Sequence, residues 1–171
     1  MKNFIIDVDG CLTTGQFLYS AKGKVYKVFG PDDADALSIL KNTINIQMIS
    51  GDKRGFTITK KRIDDMGFPV TLVSTFERVK WIEEKFNLDE TIFMGDGIYD
   101  ALVFEKIGYS IVPANAFYLT KKKANFVTQS KGGEGAVAEA CLHIMEKFFE
   151  SFDLSKIDLS SGSGAWDNLK V

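Results

Sequence analysis

The chain has 171 residues, of which 45% are hydrophobic and 26% are charged, and its formal net charge is −2. This is the balance of a globular domain with a buried core, and the small net charge argues against a nucleic-acid partner. No stretch approaches the roughly 20 apolar residues of a membrane span, and Asp7 interrupts the first apolar run too early for a signal peptide. Cys11 and Cys141 suggest no disulfide framework, so we expect a cytoplasmic protein.

The first predicted element is a buried strand that ends in two carboxylates. Phe4 to Ile6 form an apolar run typical of an inner strand of a parallel sheet. Because an uncompensated charge is costly to bury, Asp7 and Asp9 must mark the carboxyl end of this strand, where open α/β sheets place their ligand crevices. Gly10 then allows a sharp exit. The two carboxylates point to the same side and repel each other, so we expect a cation or a proton between them.

A β-hairpin is predicted next, with strand-like runs on both sides of Lys22-Gly23. Because it directly follows the acids, it should project near them. It is either an edge hairpin that packs its aromatic side chains, or a flap or an oligomer contact.

Strands and helices alternate through the rest of the chain. Strands are predicted at 45–49, 70–73, 91–94, 109–112 and 125–127, and the longer helices at 31–41, 54–66 and 136–149. A helix is also predicted after Ser74-Thr75-Phe76-Glu77, which has the spacing of a capping box. This alternation predicts an α/β fold with a single Rossmann-like, doubly wound parallel sheet.

The predicted domain covers residues 1–150. Residues 151–171 are rich in Ser, Gly, Asp and Lys, and this composition predicts a flexible tail in which Trp166 could dock on the domain.

The carboxyl ends of the first, second and fourth parallel strands should meet at one edge of the sheet. They bring together Asp7, Asp9, Ser50, Gly51, Asp96 and Asp100. Carboxylate oxygens of this kind suit Mg²⁺, which takes one or two carboxylates together with waters and a substrate phosphate. Lys80 adds a cation near the start of its helix, which completes a phosphate cradle. Lys53, Arg54 and the basic run at 60–62 are alternative cations, although that run is typical of a solvated helix face.

This grouping indicates phosphoryl transfer. With the charge of a phosphoryl group neutralised by Mg²⁺ and Lys80, Asp7 would attack it and form an aspartyl-phosphate. Asp9 would donate a proton to the leaving alcohol and later activate a water.

Four motifs of the chain resemble those of the haloacid dehalogenase superfamily, in the expected order. They are Asp7-x-Asp9-Gly10-x-Leu12-Thr13, Ser50-Gly51, Lys80 and Gly95-Asp96-x-x-x-Asp100. Over residues 1 to about 150, the chain is similar to the capless phosphatases of the 3-deoxy-D-manno-octulosonate 8-phosphate phosphatase type. The features that carry this likeness are the short length, the early hairpin, Phe29 followed by Asp33, and the run from Gly132 to Val137.

The resemblance implies a role for each matched position. Asp7 is implied as nucleophile and metal ligand, and Asp9 as acid/base that also gives the metal its backbone carbonyl. Asp96 is implied as a direct metal ligand and Asp100 as support for metal-bound water. The implied phosphate-binding residues are Ser50, Gly51 and Lys80, and the implied substrate-facing residues are Thr14, Asp33, Gly133 and Glu134.

The resemblance also implies an assembly. It predicts a homotetramer in which the hairpins build the core and neighbouring subunits close each active site. The sequence has no insertion long enough for a cap domain, and from its charge and hydropathy we expect no nucleic-acid and no membrane partner.

The chain departs from the family pattern at four positions. Thr14 stands where an aspartate is usual, Asp32 and Ala34 replace an arginine and a glycine, and Ala138 replaces an arginine. These departures leave the reaction type intact and leave the substrate open between octulosonate 8-phosphate, nonulosonate 9-phosphate and another sugar phosphate.

Two other classes of function fit parts of the pattern. One is a regulatory module that keeps the fold and partners a sugar-nucleotide synthase, which the departures at Thr14 and Ala138 would allow. The other is a phosphorylation receiver, which also combines acids, Mg²⁺ and a lysine. A receiver carries its phospho-acceptor alone on a later strand, whereas Asp7-x-Asp9 opens this chain.

Overall fold

In the computed structural model, which describes residues 1–156, strands alternate with helices as the sequence predicts. The strands are β1 (Asn3–Asp7), β2 (Leu18–Ser20), β3 (Gly23–Tyr26), β4 (Asn45–Ser50), β5 (Val70–Leu72), β6 (Thr91–Met94), β7 (Tyr109–Val112) and β8 (Phe126–Val127). The helices are α1 (Asp32–Leu40), α2 (Phe56–Asp65), α3 (Arg78–Lys85), α4 (Asp100–Phe104), α5 (Tyr118–Lys121) and α6 (Ala136–Phe148). Residues 157–171 of the predicted tail, with Trp166, lie outside the described residues.

Six of the strands form one parallel sheet in the order β5-β4-β1-β6-β7-β8. Numbered among themselves, these strands have the order 3-2-1-4-5-6, which is that of the dinucleotide-binding Rossmann fold. The predicted doubly wound sheet is therefore confirmed. A receiver has a different strand order, 2-1-3-4-5, so the fold does not support that alternative.

Hydrophobic side chains of β1 alternate between two cores, one on each face of the sheet. Phe4 and Ile6 pack in the larger core with α1, α2 and α6, and Ile5 packs in the smaller core with α3 and α4. All three side chains are fully buried. The central strand is thus fixed on both faces, and its carboxyl end can present Asp7 from a rigid support.

The helix α3 begins four residues after the predicted capping serine. Ser74 accepts a backbone hydrogen bond from Glu77 at 2.9 Å, which makes a turn, and the helix starts at Arg78 without a side-chain cap. Arg78 is buried, and Lys80 is exposed on the opposite side.

The predicted hairpin is formed by β2 and β3, which pair in antiparallel register. Its base is held by a bridge between Thr13 and Phe29 and by a hydrogen bond of 3.2 Å from Thr14 N to Val28 O. Within the described residues, this hairpin is the one insertion between β1 and α1, and no cap domain interrupts the sheet. None of the described helices has the length and apolar character needed to cross a membrane.

Asp33 and Gly133 were predicted to face the substrate, but both are buried between elements of the fold. Asp33 is 1% exposed, and its Oδ1 accepts the backbone N–H of Ala138 at 2.9 Å in the first turn of α6. Gly133 has a φ of +69° and donates its N–H to Cys11 O at 3.0 Å. A Cβ there would lie 2.6 Å from Thr14 N, so only glycine allows this approach.

Replacing Asp33 should therefore destabilise the fold. Asp33→Ala leaves an N–H of the first turn of α6 without its acceptor, which should lower the free energy of unfolding by about 1–2 kcal/mol. Asp33→Asn keeps an acceptor oxygen and should lower the free energy of unfolding by less. The neighbouring Asp32 is exposed, so Asp32→Ala is the matched control and should be close to neutral. Urea titration measures all three, and equal stabilities of Asp33→Ala and Asp32→Ala would contradict the capping role.

Candidate active site

The carboxyl ends of β1, β4 and β6 surround a cleft of about 300 Å³. Asp7, Arg78 and Asp100 lie at its buried end, and Phe17 of the hairpin and Tyr99 lie at its exposed rim. The predicted convergence of these strand ends is confirmed.

Three carboxylates crowd this cleft. Asp7, Asp96 and Asp100 each offer an oxygen that lies within 4.8 Å of the others. Burial, with added repulsion from Asp100, raises the pKa of Asp96 to about 7. Burial also raises the pKa of Asp7 well above its ordinary value, although Arg78 acts in the opposite direction.

Gly10 allows the carboxylates to come so close. It has a φ of +94°, and a Cβ at this position would overlap the Asp96 carboxylate. Thr13 holds the loop in this shape, because its Oγ1 accepts the N–H of Gly10 at 3.0 Å and that of Gly15 at 3.2 Å. The Asp-Gly sequence at the end of β1 is thus a requirement of the site's geometry.

The acidic cluster fits a divalent metal ion. Asp7 Oδ1 is buried and has no hydrogen-bond partner among the described residues. An unsatisfied carboxylate oxygen next to two further carboxylates is costly without a cation. Oxygen donors of this kind match Mg²⁺.

Arg78 occupies the place that the sequence assigned to Lys80. Its Nη1 lies 2.8 Å from Asp7 Oδ2 and also donates to Asp100 Oδ1. Burial disfavours its charge, but the two carboxylates raise the pKa of Arg78 above its ordinary value. Arg78 is therefore a permanent cation of the site.

The prediction that Lys80 binds phosphate is wrong. Its side chain is 79% exposed and lies 3.8 Å from Glu84 on the outer face of α3. One sequence signal could have identified Arg78 instead. It stands four residues before the buried Ile82, so the two share the inward face of the helix.

The other alternative cations are also on the surface. Lys53 and Arg54 are exposed. Lys60 and Lys61 pair with Asp64 and Asp65 along the outer face of α2, as expected of a solvated helix face.

Both oxygens of Asp9 are hydrogen-bonded. Ser50 Oγ donates to Asp9 Oδ2 at 2.7 Å, and Lys27 Nζ donates to Asp9 Oδ1 at 2.5 Å. Ser50 is therefore directed at Asp9 in this structure. Gly51 faces the cleft beside Arg78, since a Cβ there would lie 3.4 Å from Arg78 Nη2. The phosphate-binding role of Ser50 and Gly51 stays a prediction.

Asp100 uses both of its oxygens within the protein. Oδ1 accepts from Arg78, and Oδ2 accepts the N–H of Gly97 at 2.8 Å. It orients the arginine that also touches Asp7. Its predicted support of metal-bound water stays a prediction.

Two lysines of the hairpin were missed by sequence reasoning. Lys24 and Lys27 both bond Asp52 Oδ2, the latter at 2.8 Å. Burial acts to raise the pKa of Asp52, but the two lysines lower it to about 2. The hairpin sequence shows only that these residues are basic; that they fold back over β4 is a long-range property of the fold.

The substrate-facing role of Thr14 and Glu134 stays a prediction. Thr14 is partly exposed and Glu134 is exposed, and neither lines the cleft within this chain.

Comparisons with known proteins identify the family of this chain. A model of haloacid dehalogenase-like hydrolases matches residues 79–140. The 3-deoxy-D-manno-octulosonate 8-phosphate phosphatase of Haemophilus influenzae is 30% identical over 145 residues, which cover 81% of this chain and 79% of that protein.

Solved structures show the same likeness. The Yersinia pestis phosphatase of that name is 26% identical, with a TM-score of 0.75 over 85% of this chain and 81% of that one. The Moraxella catarrhalis phosphatase, solved with a magnesium ion, a phosphate ion and KDO, is also 26% identical, with a TM-score of 0.74 over 85% and 86% of the two chains.

Arg78 and Lys80 should differ sharply in their effect on stability. Arg78→Gln leaves Asp7 and Asp100 without their buried cation and should lower the free energy of unfolding by about 3–5 kcal/mol. Lys80→Gln removes an exposed charge and should have no measurable effect. Urea unfolding in excess chelator measures the pair, and equal stabilities would contradict the assignment of Arg78.

The metal-free protein should lose stability as the pH rises. Since the pKa of Asp96 is about 7 in the folded chain against 3.8 for an ordinary aspartate, the folded state binds more protons between these values. The free energy of unfolding must then fall with pH across this window. Mg²⁺ should stabilise more at about pH 8 than at about pH 5, because fewer protons compete with it.

Thermal unfolding with chelator or with Mg²⁺ tests this expectation. Asp96→Asn is the control and should flatten the pH dependence. A melting temperature of the metal-free protein that rises between about pH 5 and about pH 8 would contradict this expectation.

Proposed function

Because the chain belongs to the haloacid dehalogenase-like phosphatases, we propose that it hydrolyses the phosphate ester of a small acidic sugar with Mg²⁺ as its cofactor. The substrate class is a 3-deoxy-2-ulosonate phosphate, such as octulosonate 8-phosphate or nonulosonate 9-phosphate. The observation that carries the proposal is the buried carboxylate of Asp7. One of its oxygens contacts Arg78, the other has no hydrogen-bond partner among the described residues, and Asp7 belongs to a cluster of three acids that could hold a metal ion. The names of the relatives support the substrate class.

In the first half of the proposed reaction, the Asp7 carboxylate attacks phosphorus. A bond forms between the carboxylate oxygen and phosphorus while the bond from phosphorus to the sugar oxygen breaks. Asp9 gives its proton to the departing oxygen, so the sugar leaves as a neutral alcohol. The products of this half are the free sugar and an aspartyl-phosphate on Asp7.

In the second half, water releases the phosphate. Asp9, now a carboxylate, takes a proton from a water molecule as the water oxygen bonds to phosphorus. The bond between Asp7 and phosphorus breaks and returns the carboxylate. Inorganic phosphate leaves, and Asp9 again carries the proton that the next cycle needs.

Asp7, Asp96 and the backbone carbonyl of Asp9 would hold Mg²⁺, and Asp100 would support a bound water. Bound Mg²⁺ supplies positive charge that offsets the charges of the carboxylates and the phosphoryl group. Arg78 would contribute a fixed second cation, with a planar fork of donors that suits phosphate oxygens. The Ser50–Gly51 turn lies beside it and would complete the phosphate site.

The positions at which this chain departs from the family pattern would lie near the sugar end of the substrate. Asp32 is exposed, and Thr14 and Ala138 are partly exposed. With Asp33 and Gly133 buried, Thr14 and Glu134 are the remaining candidates for contacts with the sugar. We propose that these differences select among the ulosonate phosphates.

Exposed apolar side chains of the hairpin support the homotetramer that we propose. Leu18, Tyr19 and Tyr26 are each about 60% exposed. A contiguous set of exposed apolar side chains usually marks an interaction surface. The free, buried thiols of Cys11 and Cys141 agree with the reducing cytoplasm that we propose as its location.

A panel of phosphate esters tests the proposed function. It should contain octulosonate 8-phosphate, nonulosonate 9-phosphate and neutral hexose phosphates, with Mg²⁺ present. We expect the acidic sugars to be preferred, excess chelator to abolish phosphate release, and Asp7→Asn to lower kcat by about a thousandfold or more, because it removes the nucleophile.

Two outcomes would contradict the proposal. Asp7→Asn protein that releases phosphate at the wild-type rate would exclude the aspartyl-phosphate. Absence of turnover of every ester would favour the regulatory module that partners a sugar-nucleotide synthase.

A further inference from the structure

We propose that Lys27 is a positioning residue that holds Asp9 in place for proton transfer, so that the hairpin carries part of the catalytic machinery. This inference rests on the proposed phosphatase function, in which Asp9 is the proton donor and acceptor.

The Lys27 side chain is buried, and the protein itself provides a partner for each of its donors. Its side chain is 0% exposed, although it follows an exposed hairpin. Its Nζ has three acceptors, namely Asp9 Oδ1 at 2.5 Å, Thr59 Oγ1 at 2.7 Å and Asp52 Oδ2 at 2.8 Å. A buried ammonium carries three donors and needs a partner for each. All three are used, so Lys27 has no donor left with which to bind substrate.

The carboxylate of Asp9 is held from two directions. The hairpin approaches Oδ1 through Lys27, and the end of β4 approaches Oδ2 through Ser50. A hydrogen bond between an ammonium and a carboxylate is about twice as strong as a neutral one. Together the two contacts fix the rotation of the carboxylate as well as its position. Proton transfer depends on such placement, since a displacement of about 1 Å can cost on the order of a hundredfold in rate.

Thr59 fixes the lysine in turn. It is a fully buried hydroxyl on α2 and accepts from Lys27 at the point where the hairpin meets the domain. The order of contacts is therefore α2 to Lys27 to Asp9. Removing the Thr59 hydroxyl should loosen Asp9 without changing any charge.

Lys24 is a natural control in the same hairpin. It also bonds Asp52, and its Nζ lies 3.3 Å from the ring centre of Phe17. Among the described residues, Lys24 makes no hydrogen bond or ion pair with Asp9. Its removal therefore changes the charge of the same network but leaves the contacts of the proton donor in place.

The test is the dependence of kcat/KM on the leaving group. The probes are a series of substituted phenyl phosphates, from 4-nitrophenyl phosphate to phenyl phosphate, together with octulosonate 8-phosphate. Nitrophenolate leaves readily without a proton, whereas an alkoxide needs one. Since kcat/KM reports the steps up to departure of the leaving group, it isolates the donor role of Asp9 from its later role as a base.

Lys27→Met should lower kcat/KM for the alkyl ester by about 10–100-fold and for 4-nitrophenyl phosphate by no more than about threefold. The plot of log kcat/KM against leaving-group pKa becomes steeper. Thr59→Val, which keeps Lys27, should change the slope in the same direction by a smaller amount. Lys24→Met should leave the slope unchanged.

A uniform loss on all esters in both Lys27→Met and Thr59→Val would overturn the positioning role, because that pattern marks general damage to the fold. So would a wild-type slope in both variants. A wild-type protein that hydrolyses none of the esters would instead overturn the proposed function and this inference with it. An active wild type with unchanged slopes in the variants overturns this inference alone.

Discussion

The structure depends on three carboxylates that meet beyond the carboxyl ends of two neighbouring strands, β1 and β6. Asp7, Asp96 and Asp100 present oxygens within 4.8 Å of one another, and their mutual repulsion adds to the cost of burial. Arg78 offsets part of this cost by bonding two of the three. The oxygen of Asp7 that Arg78 does not reach is left for a cation. Burying these carboxylates is costly without a cation and less costly with one, so the site is suited to bind a metal ion.

The same crowding explains the two glycines that accompany the acids. A Cβ at Gly10 would overlap the Asp96 carboxylate, and a Cβ at Gly95 would lie 2.6 Å from Asp100 Cγ. Gly10 makes room for an acid that follows the neighbouring strand β6, and Gly95 makes room for an acid of its own loop. The Asp-Gly at the end of β1 and the Gly-Asp at the end of β6 thus both allow carboxylates to pack close to the backbone.

Periodicity and strand order made the sheet and the four acids predictable from the sequence, because both depend on local pattern and on general rules of connection. The site cation was not predictable in the same way. The capping signal at Ser74 predicts that the helix begins before Arg78, whereas α3 begins at Arg78, whose side chain is buried while that of Lys80 is exposed. The contacts of Lys27 and Asp33 were not predicted for a related reason. Their partners, Asp9 and Ala138, lie 18 and 105 residues away in the sequence, and a local pattern carries no information about contacts at that distance.

The hairpin shows how a domain without a cap can still organise its cleft. Its lysines Lys24 and Lys27 bond Asp52 and Asp9, whereas its side chains Leu18, Tyr19 and Tyr26 are exposed. The hairpin is a ribbon of two short strands, and such a ribbon is marginally stable alone. Covering its exposed apolar side chains with another copy of the chain, as the proposed tetramer requires, would stiffen the ribbon and with it the lysine that holds Asp9. Assembly and proton transfer would then depend on the same few residues.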